Sequence, residues 1–259
     1  VIKHDPMLNM ISHGEPTDQS PLLIVHGLYG SARNWGVVAK KLSDERQVFA
    51  VDMRNHGLSD WKDSHSYPDM AADLAEVLAH IGPADVLGHS MGGKASMMTA
   101  LQHSELVKRL IVADIAPVSY THSQLRFVHA MKAVDLSKVE RRADALQQLE
   151  TAGVDDPTLR SFFTQSLDAQ NGTWRLNLDV LEREMPKVMG FPENVTGTFA
   201  APTLFLYGAN SDYLLPEHRT IIRSLFPKAQ FVKMSDVGHW LHAEKPTEFI
   251  ATVRAWLNR

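Results

Sequence analysis

The sequence predicts an α/β fold, a mostly parallel central sheet flanked by helices and carrying one helical insertion. Three observations carry that prediction. Short apolar runs alternate with longer runs whose apolar residues recur at helix spacing. The short runs are rich in Val, Ile, Leu and Phe, as strands covered on both faces tend to be. Between about Pro117 and Ala201 the alternation stops, and only helix-like pieces follow.

Taken in order, residues 7–11 are a candidate edge strand, and residues 22–26 and 48–52 are candidate buried strands. Met70, Leu74, Val77, Leu78 and Ile81 then mark a helix. Residues 84–89 form the next candidate strand. Residues 91–103 can form a helix with Ala95, Met98 and Leu101 near one face. Residues 110–114 complete this first half. Helix-like pieces follow at 125–134, 138–149, 158–167 and 178–189. The interval is too long for an ordinary connection and should be a unit of its own. Residues 1–116 and 202–259 are therefore expected to form the core. Residues 117–201 are expected to form a cap over the C-terminal ends of the strands. The competing arrangement is a lengthened crossover packed beside the sheet. Strands at 203–207 and 231–234 follow. A last helix carries Phe249, Ile250, Val253, Trp256 and Leu257, and Pro246 is placed to open it.

Composition narrows the function classes. With 26 Lys and Arg against 30 Asp and Glu, the net charge is −4, which gives no reason to expect nucleic acid or an anionic membrane as partner. The absence of cysteine excludes disulfides, thiol catalysis and zinc–thiolate sites, and fits a cytoplasmic enzyme. No apolar run is long enough to span a bilayer, and no secretory signal is expected. Met7 is read as the natural start and residues 1–6 as vector-derived. The sequons at Asn171 and Asn194 are read as coincidence.

Gly88-His89-Ser90-Met91-Gly92 places a serine between a candidate strand and a candidate helix. The frame fits a strand-to-helix turn that lifts a hydroxyl above the sheet edge, with glycines where side chains would crowd the turn. A serine hydroxyl needs a general base. His239 lies between the last strand and the last helix, where a base that comes last in chain order should stand. His242 is its nearest rival, starting the terminal helix or meeting solvent. His89 should point elsewhere by strand alternation, and His26 should brace its own loop. The acid that orients the base is Asp114 or Asp212, each following a strand. Asp212 lies one residue beyond the common spacing, with Ser211 in the expected place, so Asp114 is favoured. Asp52 and Asp85 precede the serine and fit less well. The backbone N–H groups of Leu28 and Met91 are the candidate oxyanion donors.

These pieces together resemble the α/β-hydrolase superfamily along essentially the whole chain. Several segments look closer to small bacterial esterases of the YbfF type and their mitochondrial abhydrolase relatives. They are residues 51–59 (Val-Asp-Met-Arg-Asn-His-Gly-Leu-Ser), residues 88–95, Asp114-Ile115-Ala116-Pro117-Val118, Gly208-Ala209-Asn210-Ser211 and residues 238–246. In the first, Asn55 replaces a glycine common in the superfamily. The resemblance implies a carboxylesterase or thioesterase with a helical lid, acting on a small ester or thioester without cofactor or metal. It supports Ser90 and His239, and Asp114 less firmly. A carbon–carbon bond hydrolase, a perhydrolase and a non-catalytic small-molecule-binding protein are the alternatives. A dehalogenase would need a carboxylate in place of Ser90. Phe127, Phe162, Phe163, Leu167, Trp174, Met185 and Met189 could line an acyl pocket or form the cap's own core. Arg126, Lys132, Arg141 and Arg142 could meet an anionic leaving group or form a solvated face. The oligomeric state stays open.

Overall fold

The computed structural model describes residues 7–259, so the reading of residues 1–6 lies outside it. Seven strands make the main sheet: β1 (Met10–His13), β2 (Leu22–Val25), β3 (Val48–Val51), β4 (Ala84–His89), β5 (Val107–Ala113), β8 (Thr203–Gly208) and β9 (Ala229–Met234). Their spatial order is β1-β3-β2-β4-β5-β8-β9. Only β1 runs antiparallel, pairing Met10 with Val51 and His13 with Val48. The edge strand thus begins three residues later than the sequence predicts. The backbone of Asn9 is committed to the loop after β3 instead, donating to Ser59 Oγ and accepting from Asp52 N.

Every residue of β2 and β3 is buried, and alternate side chains enter different cores. Leu23, Val25, Phe49 and Val51 face one layer, and Leu22, Ile24, Val48 and Ala50 face the other. This is why these runs lack polar alternation. Burying each such aliphatic side chain is worth about 1.5–3 kcal/mol. β5 starts at Val107, earlier than expected, because Val107 pairs with Ala84 while Lys108 stays at the surface.

The helices that flank this sheet are α1 (Gly36–Leu42), α2 (Tyr67–Ile81), α3 (Met91–Gln102), α8 (Arg219–Leu225) and, after the last strand, α9 (Leu241–Glu244) and α10 (Pro246–Leu257). Ser66 caps α2 by accepting from Asp69 N, and Gly82 ends it at φ 92°. α3 departs from the one-faced pattern expected of it. All its residues from Met91 to Ala100 are buried, so apolar side chains face inward all round.

Between β5 and β8 lie α4 (Leu125–Lys132), α5 (Arg142–Thr151), α6 (Pro157–Thr164) and α7 (Leu178–Met189). The segment is not wholly helical. α6 stops at Thr164, and Leu167 belongs to a two-residue strand β6 (Leu167–Asp168), paired antiparallel with β7 (Thr173–Trp174). Asp168 holds that turn by accepting from the backbone and side-chain nitrogens of Asn171, and Gly172 takes φ 62°. No helix of the described residues is long and apolar enough to cross a membrane.

Candidate active site

Parallel strands aim their C-terminal ends at one edge of the sheet, where open α/β folds place their ligands. Three of those ends carry the candidate residues. Ser90 follows β4 and caps α3 at φ 55°, ψ −120°, outside the regions an L-residue favours. Two glycines make the turn possible. A Cβ on Gly88 would lie 2.3 Å from the Gly92 carbonyl oxygen, and one on Gly92 would lie 2.3 Å from the carbonyl oxygens of Val25 and His26.

Ser90 Oγ lies 2.9 Å from Nε2 of His239, and His239 Nδ1 donates to Asp114 Oδ2 at 2.7 Å. A carboxylate only accepts, so Nδ1 carries the proton and Nε2 offers a lone pair to the serine. Asp114 is fully buried directly after β5, also at positive φ (52°). Its Oδ1 accepts from Gly208 N (3.0 Å), and its Oδ2 accepts from Ser211 Oγ (2.5 Å). The two strand ends weighed in the sequence therefore converge. The end of β5 supplies the carboxylate, and the end of β8 supplies Ser211 as its donor. Asp212 is exposed and is not part of this chain of hydrogen bonds.

The other histidines are held apart from the serine. His242 sits in α9, ahead of the terminal helix, and is buried instead of starting that helix or meeting solvent. Its ring stacks on Trp35 at 3.9 Å and 6°, and burial pushes its pKa down to about 3. His89 donates from Nε2 to the backbone oxygen of His239 (2.8 Å), tying the end of β4 to the loop after β9. Burial holds it well below the ordinary histidine value. His26 donates from Nδ1 to the Gly27 carbonyl (2.7 Å) and accepts Met53 N at Nε2 (2.9 Å). It braces the loop after β2 as the sequence suggested.

That loop turns tightly. Gly30 N donates back to Gly27 O (3.0 Å), and Tyr29, at φ 67°, donates its N–H to His56 Nε2 (3.1 Å). His56 donates in turn to Arg54 O (2.8 Å). The N–H groups of Leu28 and Met91 have no acceptor among the described residues. Both residues line the cleft beside Ser90.

Asn55 has φ 66°, a left-handed conformation that asparagine tolerates, so it can stand where a glycine is common. Its side chain accepts from Lys62 N (2.7 Å) and Asn177 Nδ2 (3.0 Å), joining this loop to the start of α7. Asp52, set aside as a catalytic acid, anchors Ala32 N (2.8 Å) and Leu58 N (3.0 Å).

The cleft above Ser90 is walled by the loop after β2, by Ser90 and His239, and by side chains of the 117–201 segment. Of the seven residues of the 117–201 segment named as candidate pocket lining, Phe127, Phe162, Phe163 and Met189 line it, whereas Leu167, Trp174 and Met185 do not. None of Arg126, Lys132, Arg141 and Arg142 lines it. Lys132 pairs with Asp179 and Glu182, and Arg142 donates to Ser161 and Thr164. Sequence reasoning passed over Tyr213, stacked on the His239 ring at 4.0 Å, and Lys94, a buried wall of the cleft. Lys94 Nζ donates to Gly190 O (2.6 Å) and lies over the Tyr120 ring (4.7 Å). A charged residue in the first turn after a G-x-S-x-G frame, where the helix is otherwise uncharged, was the available signal for Lys94.

The alpha/beta hydrolase family model matches residues 22–252. A mouse (Mus musculus) protein named sn-1-specific diacylglycerol lipase ABHD11 is 40% identical over 250 residues, covering 91% of this chain and 80% of that protein. Esterase YbfF of Escherichia coli (strain K12) is 37% identical over 250 residues, covering 93% and 94%. A solved marine microorganism esterase superposes with a TM-score of 0.90 at 36% identity, covering 96% of this chain and 98% of that one. The chain belongs to the α/β-hydrolase family.

Proposed function

We propose that this carboxylesterase-type hydrolase cleaves carboxylic esters or thioesters through an acyl-enzyme on Ser90. The observation that carries the reading is the continuous hydrogen-bonded path from Ser90 Oγ through the His239 ring to the buried Asp114 carboxylate. His239 Nε2 takes the serine proton as Oγ attacks the acyl carbonyl. Asp114 holds the imidazole in the Nδ1–H tautomer and offsets the charge it gains. The N–H groups of Leu28 and Met91 receive the developing oxyanion. His239 then gives its proton to the departing alcohol or thiol. Water, losing a proton to the same nitrogen, attacks the acyl-enzyme, and His239 returns that proton to Ser90 Oγ as the bond to the acyl group breaks and the acid leaves.

Residues 117–201 act as the cap in this reading, with Phe127, Phe162, Phe163 and Met189 turned toward the acyl group. The substrate is a small ester or thioester, and the apolar lining favours an apolar acyl group. The mouse relative's name, a diacylglycerol lipase, favours acyl esters of glycerol among such substrates. A cytoplasmic location is the reading of the cysteine-free composition.

A fluorophosphonate probe and a series of p-nitrophenyl acyl esters test the proposal. Native protein is expected to be labelled and to hydrolyse the esters. Ser90→Ala should abolish labelling and lower kcat by roughly a thousandfold or more. A Ser90→Ala protein that still turns over at the native rate would sink it.

A further inference from the structure

We propose that Tyr213 is a positioning residue for this reaction, its ring forming a fixed wall against one face of the His239 imidazole. The inference rests on the reading of His239 as general base and adds a residue to that machinery. The two rings lie 4.0 Å apart at 24°, a stacked pair. The remaining ring neighbours of His239 are tilted or edge-on. His89 lies at 4.8 Å and 40°, and Trp240 at 5.2 Å and 78°. Tyr213 is thus the one ring that covers a face of the imidazole, among the described residues.

A wall positions a neighbour only if it is itself held. Tyr213 is tied at three points. Its hydroxyl accepts from Gln124 Nε2 (3.3 Å), ahead of α4. Its carbonyl accepts from the Tyr120 hydroxyl (2.6 Å), which in turn accepts from Ala116 N (3.0 Å). Its N–H donates to Ser211 Oγ (3.3 Å), the same hydroxyl that donates to Asp114. The ring against the imidazole and the donor on the carboxylate are therefore set by one short stretch after β8. Burial pushes the Tyr213 phenol up, so it stays neutral and does not compete for the serine proton.

Two effects follow. The imidazole keeps its two hydrogen bonds only in one rotation about its Cβ–Cγ bond, and a ring stacked on its face resists rotation away from that setting. During acyl transfer the imidazole becomes a cation, and an aromatic face beneath a cation is attractive. Both effects act on the bound complex as it reacts and scarcely on substrate binding, so they belong in kcat.

The test uses the full chain and p-nitrophenyl acetate, whose short acyl group reaches little of the cleft. Tyr213→Leu and Tyr213→Met both remove the ring, so failure of one to fold leaves the other. Either is expected to lower kcat about fivefold to tenfold with KM within about twofold. The rate of fluorophosphonate labelling at Ser90 should fall in parallel. Tyr213→Phe keeps the face and should restore kcat to within about twofold of native. A KM rise without a kcat loss would overturn the proposal, because it would make Tyr213 a wall for substrate. Equal losses in Tyr213→Phe and Tyr213→Leu would also overturn it, by assigning the effect to the hydroxyl. His239→Gln separates the two readings. If it stays active, the base assignment and this inference fall together. If it is inactive while the ringless variants keep their kcat, this inference alone fails.

Discussion

At the carboxyl edge of the sheet, Tyr29, Ser90 and Asp114 all take positive φ, while in the 117–201 segment Asn194, on an exposed turn, is the one non-glycine residue that does so. A non-glycine residue held there costs about 1–3 kcal/mol, so the surroundings must enforce it. They do so through backbone bonds. Ser90 N donates to Ala113 O, Asp114 N donates to Leu206 O, and Tyr29 N donates to His56. The helical segment contributes to the same cleft by other means. It offers ring faces and aliphatic side chains, set by packing and not by strained backbone. One region places single atoms, and the other gives a shape. Substitutions should therefore act differently in the two. Changes at the edge should alter rate, and changes in the segment should alter substrate preference.

The sharpest way to break that contrast lies at the two strand ends. Asp114→Asn keeps the shape but loses the charge opposite the imidazole, and it can hold the wrong tautomer. It is expected to lower kcat about 10⁴-fold. Asp212→Asn, at an exposed position with no hydrogen bond to His239, should stay within about twofold. Measuring kcat for both with one short ester checks the pair. A large loss in Asp212→Asn with a small one in Asp114→Asn would reverse the assignment.

How far these residues can be read from sequence follows the same division. Gly88 and Gly92 flank Ser90 because the neighbouring backbone leaves no room for a Cβ, so composition records the geometry. His239 stands out by chain order, after the last strand. Spacing favours Asp114 over Asp212 as the acid, but it does not reveal what sets the two apart, which is burial and a partner, Ser211. His89 was expected to point elsewhere, and its side chain does not reach for the serine. Its bond to the His239 backbone depends on two loops meeting in space. Tyr213 and Trp35 escape the sequence for the same reason, since each acts through a ring face on a residue distant in the chain. In the fold, buried runs in β2 to β5 and β8 were legible from their apolar content. The β6–β7 pair was not, because two residues carry no periodicity.

The edge region should also be the first to fail in acid. Burial lowers the pKa of His26, His56, His65, His89 and His242, to about 3 for His65 and His242. His26, His56 and His65 each spend one ring nitrogen as an acceptor, a role that protonation removes. The unfolded chain takes up protons at these groups near the ordinary value of 6.5, whereas the folded chain does not. Between about 6.5 and 3 the unfolded state therefore binds more protons, and stability falls as pH falls. Each group contributes up to about 1.4 kcal/mol per pH unit. The thermal midpoint should drop between pH 7 and pH 5, with uptake of more than one proton on unfolding. His65→Gln should flatten that slope. A midpoint unchanged over the interval would remove the argument.

In the helical segment the expected effects are smaller and of another kind. Phe162 lines the cleft and is only half-buried. Phe162→Ala removes apolar surface beside the acyl chain. KM for longer acyl esters should rise about tenfold relative to the acetate, with kcat for the acetate within about threefold. A uniform fall in kcat across all chain lengths would mean that this segment sets the position of the reacting atoms as well.

The smallest effect belongs to the charged exterior of the same segment. Lys132 Nζ reaches Asp179 at 2.6 Å and also pairs with Glu182, bridging α4 and α7. Both carboxylates lie at the surface, and exposed ion pairs contribute about 0.2–1 kcal/mol because water solvates the separated charges nearly as well. Hydrogen bonding to those carboxylates holds the lysine above its ordinary pKa, so the pair is already satisfied within the protein. Lys132→Ala should cost less than about 1 kcal/mol in denaturant unfolding. It should leave KM for an acyl-coenzyme A thioester within about twofold, since the ammonium is occupied and lies off the cleft lining. A severalfold rise in that KM, with no change for a neutral p-nitrophenyl ester, would put Lys132 in contact with the anionic leaving group. The exterior of the segment would then join its interior in choosing the substrate.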